Sequence, residues 1–179
     1  MDFHEKTIET KPIFEGKIIK LELQTVELCN KKVAEREIIR HRGGVAILPL
    51  TEDGHVILVR QFRKPYEEEL LEVPAGKLEK GEEIELCAIR ELKEETGHTA
   101  QKITYMHTMY PSPGYTDEKI YIYKAEGLLE GDLELDEDEF LNTEKYSLTE
   151  AAEMVRRGEI KDAKSAIAIL LLDAEINRK

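Results

Sequence analysis

Extended and helical segments alternate along this chain of 179 residues, which predicts an α/β (α+β) fold with a mixed β-sheet and a small N-terminal antiparallel β unit. Two observations carry the prediction. Short runs of β-branched and aliphatic residues recur between turn residues, and segments free of Gly and Pro with helical periodicity stand among them. A hydrophobic content of 41% without low-complexity tracts argues against disorder, although 36% of residues are charged.

Ile13 to Leu28 contains alternating stretches, Ile19/Leu21/Leu23 and Val26/Leu28. Val33 to His41 reads as extended again, with a Cys29-Asn30-Lys31-Lys32 turn between them. This first unit, residues 1–41, is too small to bury its own apolar face, so it is expected to pack on the remaining domain, residues 42–179, or on a second subunit. A homodimer follows as an expectation. After Gly43-Gly44, Val45 to Leu50 and Val56 to Val59 read as buried strands, with Asp53-Gly54 between them as a hairpin turn signal. Glu82 to Thr96 has no Gly or Pro and is rich in Glu, Leu, Lys and Ala, a helix that Gly97 would close. Tyr105 to Tyr110 and Ile120 to Lys124 are strand candidates on either side of Pro111-Ser112-Pro113-Gly114, and Phe140 to Tyr146 is a further extended segment. Ser147-Leu148-Thr149-Glu150 is a capping box opening a short helix that stops near Gly158, and Asp162 can cap a last helix carrying Ala166, Ile167, Leu170 and Leu171.

A formal net charge of -12 makes a basic nucleic-acid surface an unsuitable reading. Ala166 to Leu172, the longest mostly apolar run, is too short for a bilayer, and the N-terminus has no signal-peptide apolar region, so a cytoplasmic protein without membrane partners is expected. Cys29 and Cys87 make no disulfide framework and read as inert thiols, Cys87 as a buried one.

The acidic charge is concentrated in two places. Glu67 to Glu95 holds 11 acids against 4 bases, and Glu126 to Glu144 holds 9 acids and no base. On the helix beginning at Glu82, residues Ile84, Cys87, Ala88, Glu91 and Glu95 share one stripe, and Glu94 lies four residues after Arg90. Carboxylates on a partly apolar face suit an oxygen-ligand cation site. The same spacing also suits a solvated amphipathic helix with Arg90 paired to Glu94.

Read outward, Gly76, Glu82, Arg90, Glu91, Leu92, Glu94, Glu95 and Gly97 stand in the register G-x5-E-x7-R-E-U-x-E-E-x-G-U, with His98 replacing the last aliphatic residue. This resembles the signature box of the Nudix hydrolases. Pro113, fifteen positions after His98, together with Arg36-Glu37-Ile38, Gln61-Phe62-Arg63-Lys64-Pro65, Glu72-Val73-Pro74-Ala75-Gly76 and Ile160 to Ser165, is similar to the ADP-ribose pyrophosphatase subgroup. The resemblance implies an α/β/α sandwich that uses Mg2+ or Mn2+ to hydrolyse ADP-ribose, a small nucleoside diphosphate, to AMP and ribose 5-phosphate.

By the same resemblance Glu91, Glu95, Glu94 and the backbone carbonyl of Ala75 hold metal, while Gly76, Glu82, Arg90 and Gly97 support the box. Arg63 contacts the diphosphate, Arg36 reaches the nucleotide, and Ser112, Gly114 and Glu118 belong to the substrate site, with Ser112 and Glu118 at the terminal ribose. In the second acidic window Glu137 is implied as general base and Glu139 as a metal ligand. His98 and the other histidines are given no chemical role. Three other readings stay open: a Nudix hydrolase of other nucleoside diphosphate sugars or dinucleotides, a non-catalytic nucleotide-binding module, and an acidic cation-binding scaffold.

Overall fold

The computed structural model describes residues 2–135 and 140–177, and the chain divides into two units. The first comprises Met1–Gly43 with Tyr110–Lys119. Its strands β1 (Lys6–Glu15), β2 (Ile19–Glu27) and β3 (Val33–His41) form an antiparallel sheet in that order. The extended reading from Ile13 onward is interrupted, because Gly16 donates its N–H to the Ile19 carbonyl at 2.9 Å and starts a new strand. β2 and β3 pair without a slip from Ile19 opposite His41 to Glu27 opposite Val33, and Lys31 at φ 67 makes their turn.

Tyr110–Lys119 lies beyond the 41/42 boundary read from sequence, yet it belongs to this unit. The Ile39 N–H donates to the Tyr115 carbonyl at 2.7 Å, and Asp117 accepts from the His41 N–H at 2.9 Å and from Arg40 Nη1 at 3.1 Å. Such backbone pairing between distant segments leaves no periodic trace in sequence.

The second unit comprises Gly44–Met109 and Ile120–Lys179. It contains β4 (Gly44–Pro49), β5 (His55–Arg63), β6 (Glu68–Glu72), β7 (Ala75–Lys77), α1 (Ile84–Thr96), β8 (His98–Met109), β9 (Ile120–Glu130), β10 (Leu141–Ser147), α2 (Leu148–Arg156) and α3 (Ala163–Asn177). A mixed sheet runs β7-β4-β9-β8, with β4 parallel to β9 and the other pairs antiparallel; a second, antiparallel sheet runs β10-β5-β6. β4 is buried on both faces. Val45 and Ile47 pack with Cys87, Ala88 and Leu92 of α1, whereas Ala46 and Leu48 pack with Ala151 and Ala152 of α2 and Ala168, Ile169 and Leu172 of α3. Helices therefore cover both faces of the mixed sheet, an α/β/α sandwich. Fully burying a side chain such as Leu92 contributes about 1.5–3 kcal/mol, and Ile84 packs against the same cluster from the first turn of α1.

The Asp53-Gly54 signal does produce a turn, with the Thr51 N–H donating to the His55 carbonyl at 2.9 Å. It does not produce a ladder between β4 and β5: an isolated backbone bridge joins Leu50, just past β4, to Val56, and the two strands enter different sheets while sharing a core through Ala46, Leu48, Val56 and Leu58. β4 needs partners that let both its faces be covered, and β7 and β9 supply them. Ser147 accepts from the Glu150 N–H at 3.1 Å and Asp162 from the Ser165 N–H at 2.9 Å, so both helix starts are capped where the sequence places them. Among the described residues no helix is long and apolar enough to cross a membrane.

Candidate active site

The stripe on α1 brings Glu91 and Glu95 inward, 7% and 2% exposed, beside the fully buried Cys87, Ala88 and Leu92. They lie against the short strand β7, which β4 pins by pairing Ala46 with Ala75. Glu95 accepts from the Ala75 N–H at 2.9 Å. The Glu91 carboxylate fills the space where a side chain at Gly76 would begin. Two carboxylates one helical turn apart are thereby set over Ala75–Gly76. Gly97 ends the helix at φ 70, its N–H donating to the Lys93 carbonyl at 2.8 Å.

Arg90 gathers the remaining acids. Its Nε and Nη2 donate to the two oxygens of Glu82 at 2.9 and 3.1 Å, and its Nη1 donates to Glu91 and Glu94, each at 2.8 Å. The Arg90 hydrogen bonds outweigh partial burial and lower the Glu82 carboxyl to about 2, and the same contacts raise Arg90 above its ordinary value. Cys87 donates to the Lys77 carbonyl at 3.5 Å, and burial first, then Glu82, push its thiol up to about 12. It is held protonated at neutral pH, so it is no nucleophile.

Glu91, Glu95 and the Ala75 backbone offer hard oxygen donors, which suit Mg2+ or Mn2+ in kind. Among the described residues no three His, Cys, Asp or Glu side chains close on a common point as a ready metal cluster. Arg90 spans three of the carboxylates instead, and its charge offsets the repulsion that would otherwise part them.

Arg63 at the end of β5 donates through Nε and Nη2 to the two oxygens of Glu72, both at 2.7 Å. Glu72 is 1% exposed and also accepts from Lys164. Neither Glu72 nor Lys164 stands out in the sequence as a site residue; the visible signal is a lone acid between Leu71 and Val73, where a solvated acid would not be placed.

The other expected substrate residues belong to the first unit. Arg36 donates to Glu5 through Nε at 3.0 Å and Nη2 at 2.7 Å. The Ser112 carbonyl accepts from the N–H groups of Tyr115 and Thr116, a turn that contains Gly114, and the Glu118 carboxylate lies 3.3 Å from His41 Nδ1. Glu137 and Glu139 lie outside the described residues. His98 turns its Nδ1 to the Thr96 carbonyl at 2.8 Å, a local contact at the helix end.

Residues 40–168 match the NUDIX domain. The chain is 51% identical to the ADP-ribose pyrophosphatase of Bacillus subtilis, over 94% of this chain and 92% of that one. It is 42% identical to a methanol dehydrogenase activator of Bacillus methanolicus, over 97% and 95%. A solved structure, the crystal structure of an ADP compounds hydrolase, superposes with a TM-score of 0.87 at 23% identity, covering 99% of this chain and 97% of that one, a likeness of fold. With the box residues in register from Gly76 to Gly97 and the domain match spanning most of its length, the chain belongs to the Nudix family.

Proposed function

We propose that this protein hydrolyses the pyrophosphate bond of ADP-ribose, giving AMP and ribose 5-phosphate. Nudix hydrolases depend on divalent metal in general, and the proposal names Mg2+, with Mn2+ as a substitute. The observation that carries it is the pair of buried carboxylates, Glu91 and Glu95, fixed over Ala75–Gly76. The name of the 51% identical relative supports the choice of substrate.

In this reading Glu91, Glu95 and the Ala75 carbonyl hold the cation, with Glu94 and Glu139 as further ligands. A bound divalent ion polarises phosphoryl oxygens and lowers the pKa of water. Arg63 donates paired hydrogen bonds to the diphosphate, and Arg36, Ser112, Gly114 and Glu118 serve substrate recognition. Glu137 takes the proton from the attacking water. The first unit is assigned to homodimerisation, supported by Ile8, Ile13 and Phe14 exposed on β1. The protein is assigned to the cytoplasm.

The test incubates purified protein with ADP-ribose, ADP-glucose and diadenosine polyphosphates, in Mg2+ or EDTA, and measures AMP. Metal-dependent release chiefly from ADP-ribose is expected. Preference for another substrate would keep the chemistry and overturn the recognition assignments. The name of the 42% identical relative favours a second reading, activation of methanol dehydrogenase, tested by that enzyme's rate with and without this protein.

A further inference from the structure

The hairpin of β5 and β6 carries a charge cluster outside the box that its packing alone does not require. Glu72 closes β6 opposite Val59, and Arg63 pairs with Glu68 at the far end of the ladder. Arg63 nonetheless reaches back past Glu68 to Glu72. The Glu72 carboxylate is almost wholly buried and accepts from both Arg63 and Lys164. Lys164 is itself 8% exposed and lies 3.1 Å from Asp162. The cluster is anchored from behind: Asp162 caps α3 through Ser165, and Ser165 Oγ accepts from the Val73 N–H at 2.8 Å.

Two cations and two carboxylates give a neutral set, yet burying such a set gives little net stability compared with apolar packing. What it does supply is orientation. A guanidinium carries five N–H donors in a rigid fork. Glu72 takes the Nε–Nη2 edge, which leaves the Nη1–Nη2 edge, on a side chain 37% exposed, for an anion. Glu95 of the box and Asp162 add to the negative field that raises Arg63, after the Glu72 hydrogen bonds, so this guanidinium lies within electrostatic reach of Glu95.

We propose that Glu72, with Lys164 sharing its carboxylate, is a positioning residue that fixes the Arg63 fork edge-on for a diphosphate. It touches no substrate and acts through Arg63. The inference rests on the hydrolase reading only for Arg63's partner, a diphosphate, and not for which nucleotide carries it.

The test is a double-mutant cycle of R63Q, E72Q and R63Q/E72Q, with folding checked by thermal melting. It is read as kcat/KM for ADP-ribose and, separately, as calorimetric affinity for inorganic pyrophosphate in Mg2+. A displacement of about 1 Å in a positioning group can cost about a hundredfold in rate, so each single variant should lose about tenfold to a hundredfold in kcat/KM. The double variant should lose no more than R63Q, and pyrophosphate affinity should follow the same non-additive pattern. Full kcat/KM and affinity in E72Q or in R63Q, or losses that multiply in the double variant, would overturn the proposal. Where E72Q does not fold, E72D keeps the charge, shortens the reach and replaces it in the cycle. Absence of ADP-ribose turnover in the wild type would overturn the substrate reading, and the pyrophosphate cycle would still decide Glu72.

Discussion

The carboxylate of Glu91 occupies the volume in which a side chain at Gly76 would begin, so helix α1 and strand β7 meet through a carboxylate and a bare backbone. Gly76→Ala forces the carboxylate out. The displaced atoms are the far end of a flexible side chain, so the variant should melt close to wild type while losing most metal-dependent turnover. A Gly76→Ala protein with wild-type kcat would show that Glu91 is free to move without consequence.

Glu95→Gln keeps an oxygen to accept from the Ala75 N–H and removes the charge. Its melting temperature should stay close to wild type while turnover in Mg2+ falls by about a hundredfold or more, the scale on which loss of an electrostatic contributor acts. Wild-type turnover at saturating Mg2+ would reject Glu95 as an essential ligand.

Arg90→Gln leaves Glu82, Glu91 and Glu94 without their shared cation. Hydrogen bonds to charged groups contribute about 1.5–3 kcal/mol, so the urea midpoint measured in EDTA should fall by a few tenths of a molar or more. Mg2+ should then stabilise the variant more than it stabilises the wild type, because the ion takes over part of the neutralisation. An equal Mg2+ effect on both would sink that account.

Glu82 titrates near 2 in the fold, held down first by Arg90, against an ordinary value of 4.5. A lowered carboxylate stabilises the native state above its unfolded pKa, and the contribution disappears as pH falls through the folded value. The stability gap between wild type and Glu82→Gln should therefore be full at pH 5 and close as the pH approaches 2. Urea midpoints across that range measure it, and a gap independent of pH would contradict the assigned pairing.

Cys29 is exposed, whereas Cys87 is buried with its thiol pushed up to about 12. Iodoacetamide at pH 8 should add to Cys29 alone in the native protein and to both residues in urea, as read by intact mass. Native labelling of Cys87 would mean that α1 opens readily from the sheet.

Helix α1 was legible because its stripe, its Glu-rich composition and Gly97 all pointed the same way. β4 and β5 were legible as continuous apolar runs. β6 and β7 were not, since Glu68–Glu72 carries charge at most positions and Ala75–Lys77 is three residues long, and neither shows alternation. β1 escaped for a different reason: every residue of it is exposed, so no burial period is imposed on its sequence. In the site, the box acids announced themselves by spacing. Glu72 carried only the weak signal of its apolar neighbours Leu71 and Val73, because within an acidic window a buried carboxylate and a solvated one are the same letter, and its partner Lys164 stands 92 positions away.

The parallel pairing of β4 with β9 also sets an order of events during folding. Gly44–Pro49 must wait for Ile120–Ala125, and the surface that receives α1 is made of Val45 and Ile47 from the one and Tyr123 and Ala125 from the other. Contacts so far apart in sequence form slowly, since a long loop has to close before they reward it. A chain still emerging from the ribosome thus carries the whole box motif before it owns the platform on which the motif becomes a site. Recovery of activity on refolding should run no faster than hydrogen-exchange protection of β9 amides, however early α1 turns helical.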